Sequence, residues 1–145
     1  MTNLAAGGWA ASLLTCIAGL HVYWAMGGFW PGHDEESLAR TVVGGRPGMR
    51  GPGTIATWAV VILLILATTL VLGVSGWLTM PVPVGWARAG TWFAAGVLIL
   101  RGLLGFVDHR LRPSTVGSSF ARLNLRFYSP LCLLLALLMC LAARG

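Results

Sequence analysis

The chain has 145 residues, of which 57% are hydrophobic and 10% charged, and its mean hydropathy is +0.79. That balance lies outside the range of soluble globular domains and indicates an integral membrane protein. Ten Arg residues and no Lys, against four acids, give a formal net charge of +6. Because these Arg residues lie between apolar runs, they read as orientation signals and lipid-phosphate contacts, and nucleic acid is not an expected partner.

A helix needs about 20 apolar residues to cross the hydrocarbon. Four segments qualify, residues 4–28, 54–80, 86–107 and 127–143. The expected fold is therefore all-α, an integral membrane four-helix bundle forming a single four-span domain over residues 1–145. The first run, opening MTNLAAGGWAASLLTC, has no basic residue ahead of it and is longer than a signal-peptide core, so it reads as a retained helix. Trp9, Trp24, Trp30, Trp58, Trp77 and Trp86 fall near the ends of the spans, as interfacial aromatic residues do, and Trp92 falls deeper.

Between the first two spans, WPGHDEESLAR predicts a short interfacial helix started by Pro31 and the acids, and GGRPGMRGPG predicts a flexible tether. PVPVG is a tight turn, and DHRLRPSTVGSSFARLNLR is a basic, mostly polar third connection. The first and third connections share one side of the membrane and hold Arg40, Arg46, Arg50, Arg110, Arg112, Arg122 and Arg126, whereas the other side holds Arg88 and Arg144. By the positive-inside rule, the long connections face the cytoplasm and both termini face out of a bacterial cytoplasmic membrane.

Arg101, in LILRGLLGF, is the most informative residue. A guanidinium cannot shed its charge, and Arg at the centre of a spanning helix costs about 2.5–3.5 kcal/mol on insertion scales, so it is expected to meet a partner or a wet cavity. A helical wheel places Ala87, Gly90, Ala94, Val97, Arg101, Gly105 and Asp108 on one narrow face, with Trp92, Ile99, Leu103 and Phe106 opposite. Small residues favour close helix packing, so Arg101 is expected to look inward. The plainer alternatives are snorkelling to the headgroups or an intrahelical pairing with Asp108.

His21 lies at a similar depth on the first span but points away from its small-residue stripe of Gly8, Ser12, Thr15 and Gly19. A hydrogen-bonded structural histidine is the plainer reading, with proton transfer or cofactor ligation as the functional ones. At LNLRFYSPLC, Tyr128 and Ser129 offer hydroxyls, and Pro130 suits the first turn of a helix. A helix N-terminus there, beside Arg112, Arg122 and Arg126, would make an anion site, or simply a capped start.

The three cysteines, Cys16, Cys132 and Cys140, lie in apolar runs without metal or disulfide spacing. The run His33, Asp34, Glu35 and Glu36 reads as a solvated acidic patch, so no metal is expected and no cofactor is predicted. A haem would need His21 with His109, which lie at different depths. No recognised catalytic motif is present.

HVYWAMGG with Trp30 and Pro31 on the first span, RGLLGF on the third, and RLRPS followed by FARLNLRFYSPLC into the fourth occur in order over almost the whole chain. Together they resemble a bacterial four-span integral membrane family known only as a domain of unknown function, DUF3995-like. Where that family often has Asp and Tyr, this chain has Asn124 and Phe127, so no acid stands at those positions. The resemblance implies that the three motifs belong together, and it brings no activity.

Two functions of different class follow. In the first, a small non-enzymatic membrane or accessory protein uses Arg101, Asp108, Arg112, Arg122, Arg126, Tyr128 and Ser129 to bind an anionic lipid headgroup or ligand. Its partners would be the lipid bilayer, anionic lipid or other membrane proteins. In the second, a membrane-embedded enzyme acts on a lipid or isoprenoid-like substrate, with His21 as acid or base, Arg101 stabilising negative charge and Tyr128 relaying a proton. Haem or pigment binding through His21 is a minor third reading.

Overall fold

The computed structural model describes residues 2–145, apart from the side chain of His109. Among the described residues there are helices and no strands: α1 (Asn3–Ala25), α2 (Glu35–Val42), α3 (Thr54–Val74), α4 (Val84–Leu111), α5 (Ser119–Leu123) and α6 (Ser129–Ala143). A single π-helical segment, Asn124–Tyr128, joins α5 to α6, so that Ser119–Ala143 runs as one spanning helix. Four helices are long and apolar enough to cross a membrane, and the chain is a helical membrane protein. Helices suit that solvent because they satisfy their backbone hydrogen bonds internally.

Helix α1 packs against α3 and α6, and α4 packs against the same two, which puts α1 and α4 at opposite corners of the bundle. The core is built of Ala6, Ala10, Leu14, Val71, Ala95, Leu135, Met139 and Ala142. Small residues on α1 let α3 and α6 approach closely, as packing between membrane helices requires. The opposite surface of α3 presents Ile62, Leu63, Ile65 and Leu66, each more than half exposed, as expected of a lipid-facing side.

Several element ends differ from the hydropathy reading. Helix α3 stops at Val74, because the N–H groups of Trp77 and Leu78 fold back to donate to Leu72 O at 3.0 and 3.2 Å. Gly76, at φ +86°, supplies the left-handed residue that this ending uses. Helix α4 is longer than its apolar run and continues through Asp108 to Leu111. On α4 the buried positions are Ala87, Thr91, Ala95, Gly102 and Gly105, while Val97 is 51% exposed and Arg101, expected to look inward, is exposed as well. The wheel thus gives the right face at both ends and drifts in the middle; Trp92, Ile99, Leu103 and Phe106 are exposed as expected.

The short helix expected in the first connection forms at α2, starting at Glu35 rather than at Pro31. Asp34 caps it by accepting from Ser37 N at 2.8 Å, and Ser37 Oγ accepts from Asp34 N at 3.0 Å, a reciprocal capping box. The Ser37 amide first, and the nearby Ser37 hydroxyl second, hold the Asp34 carboxyl below its ordinary 3.8.

Candidate functional site

The α4–α6 contact carries a polar junction centred on Asn124, which is 1% exposed. Its Oδ1 accepts from Arg101 Nη2 at 3.1 Å and from Ser129 Oγ at 3.4 Å, and its Nδ2 donates to Gly105 O at 3.0 Å. One neutral amide therefore serves as both acceptor and donor for two helices. The helices meet closely because Gly105 has no side chain: a Cβ there would lie 1.9 Å from Ser129 Oγ. Arg101 obtains its partner from this amide, on a neighbouring helix, rather than from Asp108.

The junction also depends on the π segment. Pro130 has no N–H to give, and its ring crowds the carbonyl four residues back. The wider turn just before it, closed by Ser129 N donating to Asn124 O, absorbs that conflict and turns Asn124 toward α4. In consequence no free helix N-terminus stands at Tyr128 or Ser129, although α-helical geometry resumes at Ser129. The amides expected to be free for an anion are used within the continuous helix, and the N-terminal anion site is replaced by a buried hydrogen-bonded turn. Tyr128 is half-buried and lays its ring 6.4 Å from that of Phe120.

A second polar group joins the first and third connections. Asp108 Oδ1 accepts from Arg112 Nε at 2.7 Å and pairs with Arg112 Nη2 at 2.7 Å, and the Thr115 hydroxyl reaches Asp108 Oδ2 at 3.1 Å. Arg112 also donates from Nη1 to Val43 O at 3.1 Å and covers the Phe120 ring at 5.1 Å. Phe120 is 2% exposed and packs under Gly44, whose φ of +74° and lack of Cβ let the chain pass over the ring. Asp108 and Arg112 are thereby committed to holding the two connections together.

Beside that clasp lies a polar cleft of about 300 Å³, lined by Arg40, Thr41, Gly44, Gly45, Pro47, Ser114, Thr115, Ser118 and Ser119. No carboxylate lines it. Arg122 Nη2 donates to Ser119 Oγ at 3.4 Å, so a second guanidinium stands at its edge. Arg40, Ser114 and Ser119 were not among the candidate binding residues read from the sequence, although Arg40 was counted there as an orientation signal and a polar third connection was visible. Arg126 is exposed on the π segment.

His21 belongs to a different place. Its Nδ1 lies 2.8 Å from Ile17 O, and its ring meets Trp24 edge-on at 4.9 Å between centroids. Trp24 Nε1 in turn donates to Trp30 O at 2.7 Å, so HVYWAMGGFW folds back on itself at the end of α1. His21 faces a cleft between α1, α2 and the start of α3, while Arg101 bonds to Asn124 at the α4–α6 contact. The bundle does not bring His21, Arg101 and Tyr128 around one substrate, as the enzymatic reading requires. For the haem reading, the side chain of His109 lies outside the described residues, and His21 has Nε2 alone left to offer. Among the described residues, no three His, Cys, Asp or Glu side chains gather as a metal site.

No curated protein and no solved structure matches the chain. A family model described as "Protein of unknown function (DUF3995)" matches residues 14–139, a stretch that contains the Asn124 junction, the Arg112 clasp and both clefts. The chain belongs to the DUF3995 family of proteins of unknown function.

Proposed function

We propose that the chain is a small non-enzymatic membrane or accessory protein that holds an anionic phospholipid headgroup in the polar cleft between its first and third connections. The observation that carries this reading is the cleft's chemistry: Arg40 in its wall, Arg122 bonded to Ser119 at its edge, hydroxyls at Ser114 and Ser119, and no carboxylate. A phosphate diester needs that combination of guanidinium and neutral donors. The clasp of Asp108 and Arg112 is the support that keeps the two connections in place, and the Asn124 junction anchors α5, from which Arg122 projects. Arg126, exposed one turn further on, adds attraction for an anionic surface.

The excess of Arg on the connections, seven residues against two on the opposite side, supports placing this end at the cytoplasmic face of the cytoplasmic membrane. Thermal unfolding in neutral detergent tests the binding. Phosphatidylglycerol is expected to raise the midpoint while phosphatidylcholine with the same chains does not, and the shift should fade at 1 M salt, where the screening length is about 3 Å. Arg40→Gln with Arg122→Gln should abolish it. An equal shift with both lipids, or one untouched by the two substitutions, refutes the proposal.

A further inference from the structure

We infer that the lipid held in the polar cleft is one whose phosphodiester headgroup carries vicinal hydroxyls, the chemistry of phosphatidylglycerol, and that the cleft reads those hydroxyls as well as the negative charge. This rests on the headgroup reading above and adds the identity of the group beyond the phosphate. A volume of about 300 Å³ corresponds to about ten waters at about 30 Å³ each, more than a phosphate alone fills. Room therefore remains for a short polyol.

Two kinds of polar group line the wall. The first kind donates: the Arg40 guanidinium, Arg122 at the edge, and Ser119, whose oxygen accepts from Arg122 Nη2 at 3.4 Å and whose own hydrogen stays free. The amides of Gly44, Ser114 and Ser119 make no bond within the described chain and add to this set. A phosphodiester, whose oxygens can only accept, matches these donors. The second kind accepts. A hydroxyl has one hydrogen, and a carbonyl oxygen can only accept it. Thr41 thus gives its hydrogen to Ser37 O at 2.8 Å, and Ser118 gives its own to Thr115 O at 2.6 Å. Buried Thr115 is committed in the same way, with its hydroxyl 2.8 Å from Arg112 O and 3.1 Å from Asp108 Oδ2. Thr41 and Ser118 are left with lone pairs to offer. The amides of Gly45 and Ser118 are already bonded to Ala39 O and Thr115 O, at 3.1 and 3.0 Å, so they add no donor here.

Phosphate oxygens against this second part of the wall would meet acceptors with acceptors. An ammonium would find neutral oxygens but no carboxylate, with guanidinium groups close enough to repel it. A headgroup hydroxyl donates to Thr41 or Ser118 and can accept from Ser114, whose own hydroxyl makes no bond within the described chain. A phosphate joined to a glycerol therefore satisfies both parts of the wall at once.

Displacement of a tail-labelled fluorescent phosphatidylglycerol from the intact protein in neutral detergent, followed by anisotropy, tests this. Four competitors share their acyl chains. They are phosphatidylglycerol; phosphatidylmethanol, which keeps the diester charge without a hydroxyl; phosphatidylserine, which has the same net charge but carries an ammonium and a carboxylate; and phosphatidylcholine. Phosphatidylglycerol should compete about three- to tenfold more strongly than phosphatidylmethanol or phosphatidylserine, the usual effect of one hydrogen bond. Phosphatidylmethanol should in turn outcompete phosphatidylcholine. Thr41→Val keeps the branched shape and removes the acceptor oxygen. It should weaken phosphatidylglycerol toward the phosphatidylmethanol level and leave phosphatidylmethanol unchanged, which also shows that the variant is folded, and Thr41→Ser should restore the gap. Equal competition by phosphatidylglycerol and phosphatidylmethanol, or a gap untouched by Thr41→Val, overturns the inference while leaving an anionic-headgroup site in place. If neither lipid outcompetes phosphatidylcholine, the headgroup reading itself fails.

Discussion

Gly105→Ala probes the α4–α6 junction with the smallest available change. The added methyl would lie 1.9 Å from Ser129 Oγ, 3.0 Å from Arg101 Nη1 and 3.1 Å from Asn124 Oδ1. Overpacking of this kind costs about 1–3 kcal/mol. Ala gains about 0.8–1.0 kcal/mol over Gly in helix propensity, which leaves a net loss of about 0–2 kcal/mol, and the severity of the Ser129 Oγ overlap puts it at the upper end, about 2 kcal/mol. The nearest obstacle is a single atom, the Ser129 hydroxyl oxygen, and Ser129→Ala removes it. In the unmodified chain Ser129→Ala should be mildly destabilising, by about 0.5–1.5 kcal/mol or less, since it deletes a long hydrogen bond. In the Gly105→Ala background the same substitution should stabilise. The assay is a double-mutant cycle read by reversible unfolding in mixed micelles, and the predicted signature is this change of sign. If Gly105→Ala is neutral, or if Ser129→Ala destabilises equally in both backgrounds, the close contact described here does not exist.

Asn124→Leu should cost about 1–3 kcal/mol, because it strands Arg101 and the Gly105 carbonyl. Adding Arg101→Leu should then recover part of the loss by removing the unpartnered charge, as measured in the same unfolding assay. Phe120→Ala should destabilise by about 3–5 kcal/mol as a buried aromatic truncation, and should raise hydrogen exchange at residues 43–45 by freeing the connection that the ring supports. The depressed Asp34 carboxyl stabilises the α2 cap in its ionised form, so that contribution is complete above its ordinary value of 3.8 and is lost as pH falls through the lower folded value. The Ser37 amide resonance should therefore titrate with a midpoint below 3.8, and a midpoint at or above it would contradict the cap. For orientation, cysteines introduced by Met49→Cys and Val116→Cys should react with an impermeant maleimide only after spheroplasts are opened.

The spans were legible in the sequence because a long apolar run allows few alternatives in a membrane. Helix α2 was legible from its acidic start, since Asp and Ser in the first turn have a specific capping role. The end of α3 was not: residues 75–80 are as apolar as a helix would be, and only the backbone turn at Gly76 shows that the chain has left it. Arg101 was recognised as needing a partner, but Asn124 was read as a missing acid rather than as an amide that can accept and donate at once. The signal available was a lone Asn six residues before a proline, in line with a glycine on the inward face of the preceding span. Pro130 was read as a helix start because proline favours the first turn, whereas the structure accommodates it with a π turn inside a continuous helix. His21 was placed in one layer with Arg101 on depth alone. Depth does not fix the corner of the bundle, and α1 and α4 occupy opposite corners. The polar cleft joins residues about 75 positions apart, Arg40 with Ser114 and Ser119, a pairing no local pattern encodes.

Native mass spectrometry of the protein extracted in mild detergent tests the headgroup site most directly. The chain should retain an acidic phospholipid in preference to a zwitterionic one, and Arg40→Gln with Arg122→Gln should lose it while the protein stays folded. Retention of the same lipids by the unmodified and doubly substituted chains, or no preference for acidic headgroups, would contradict the headgroup reading.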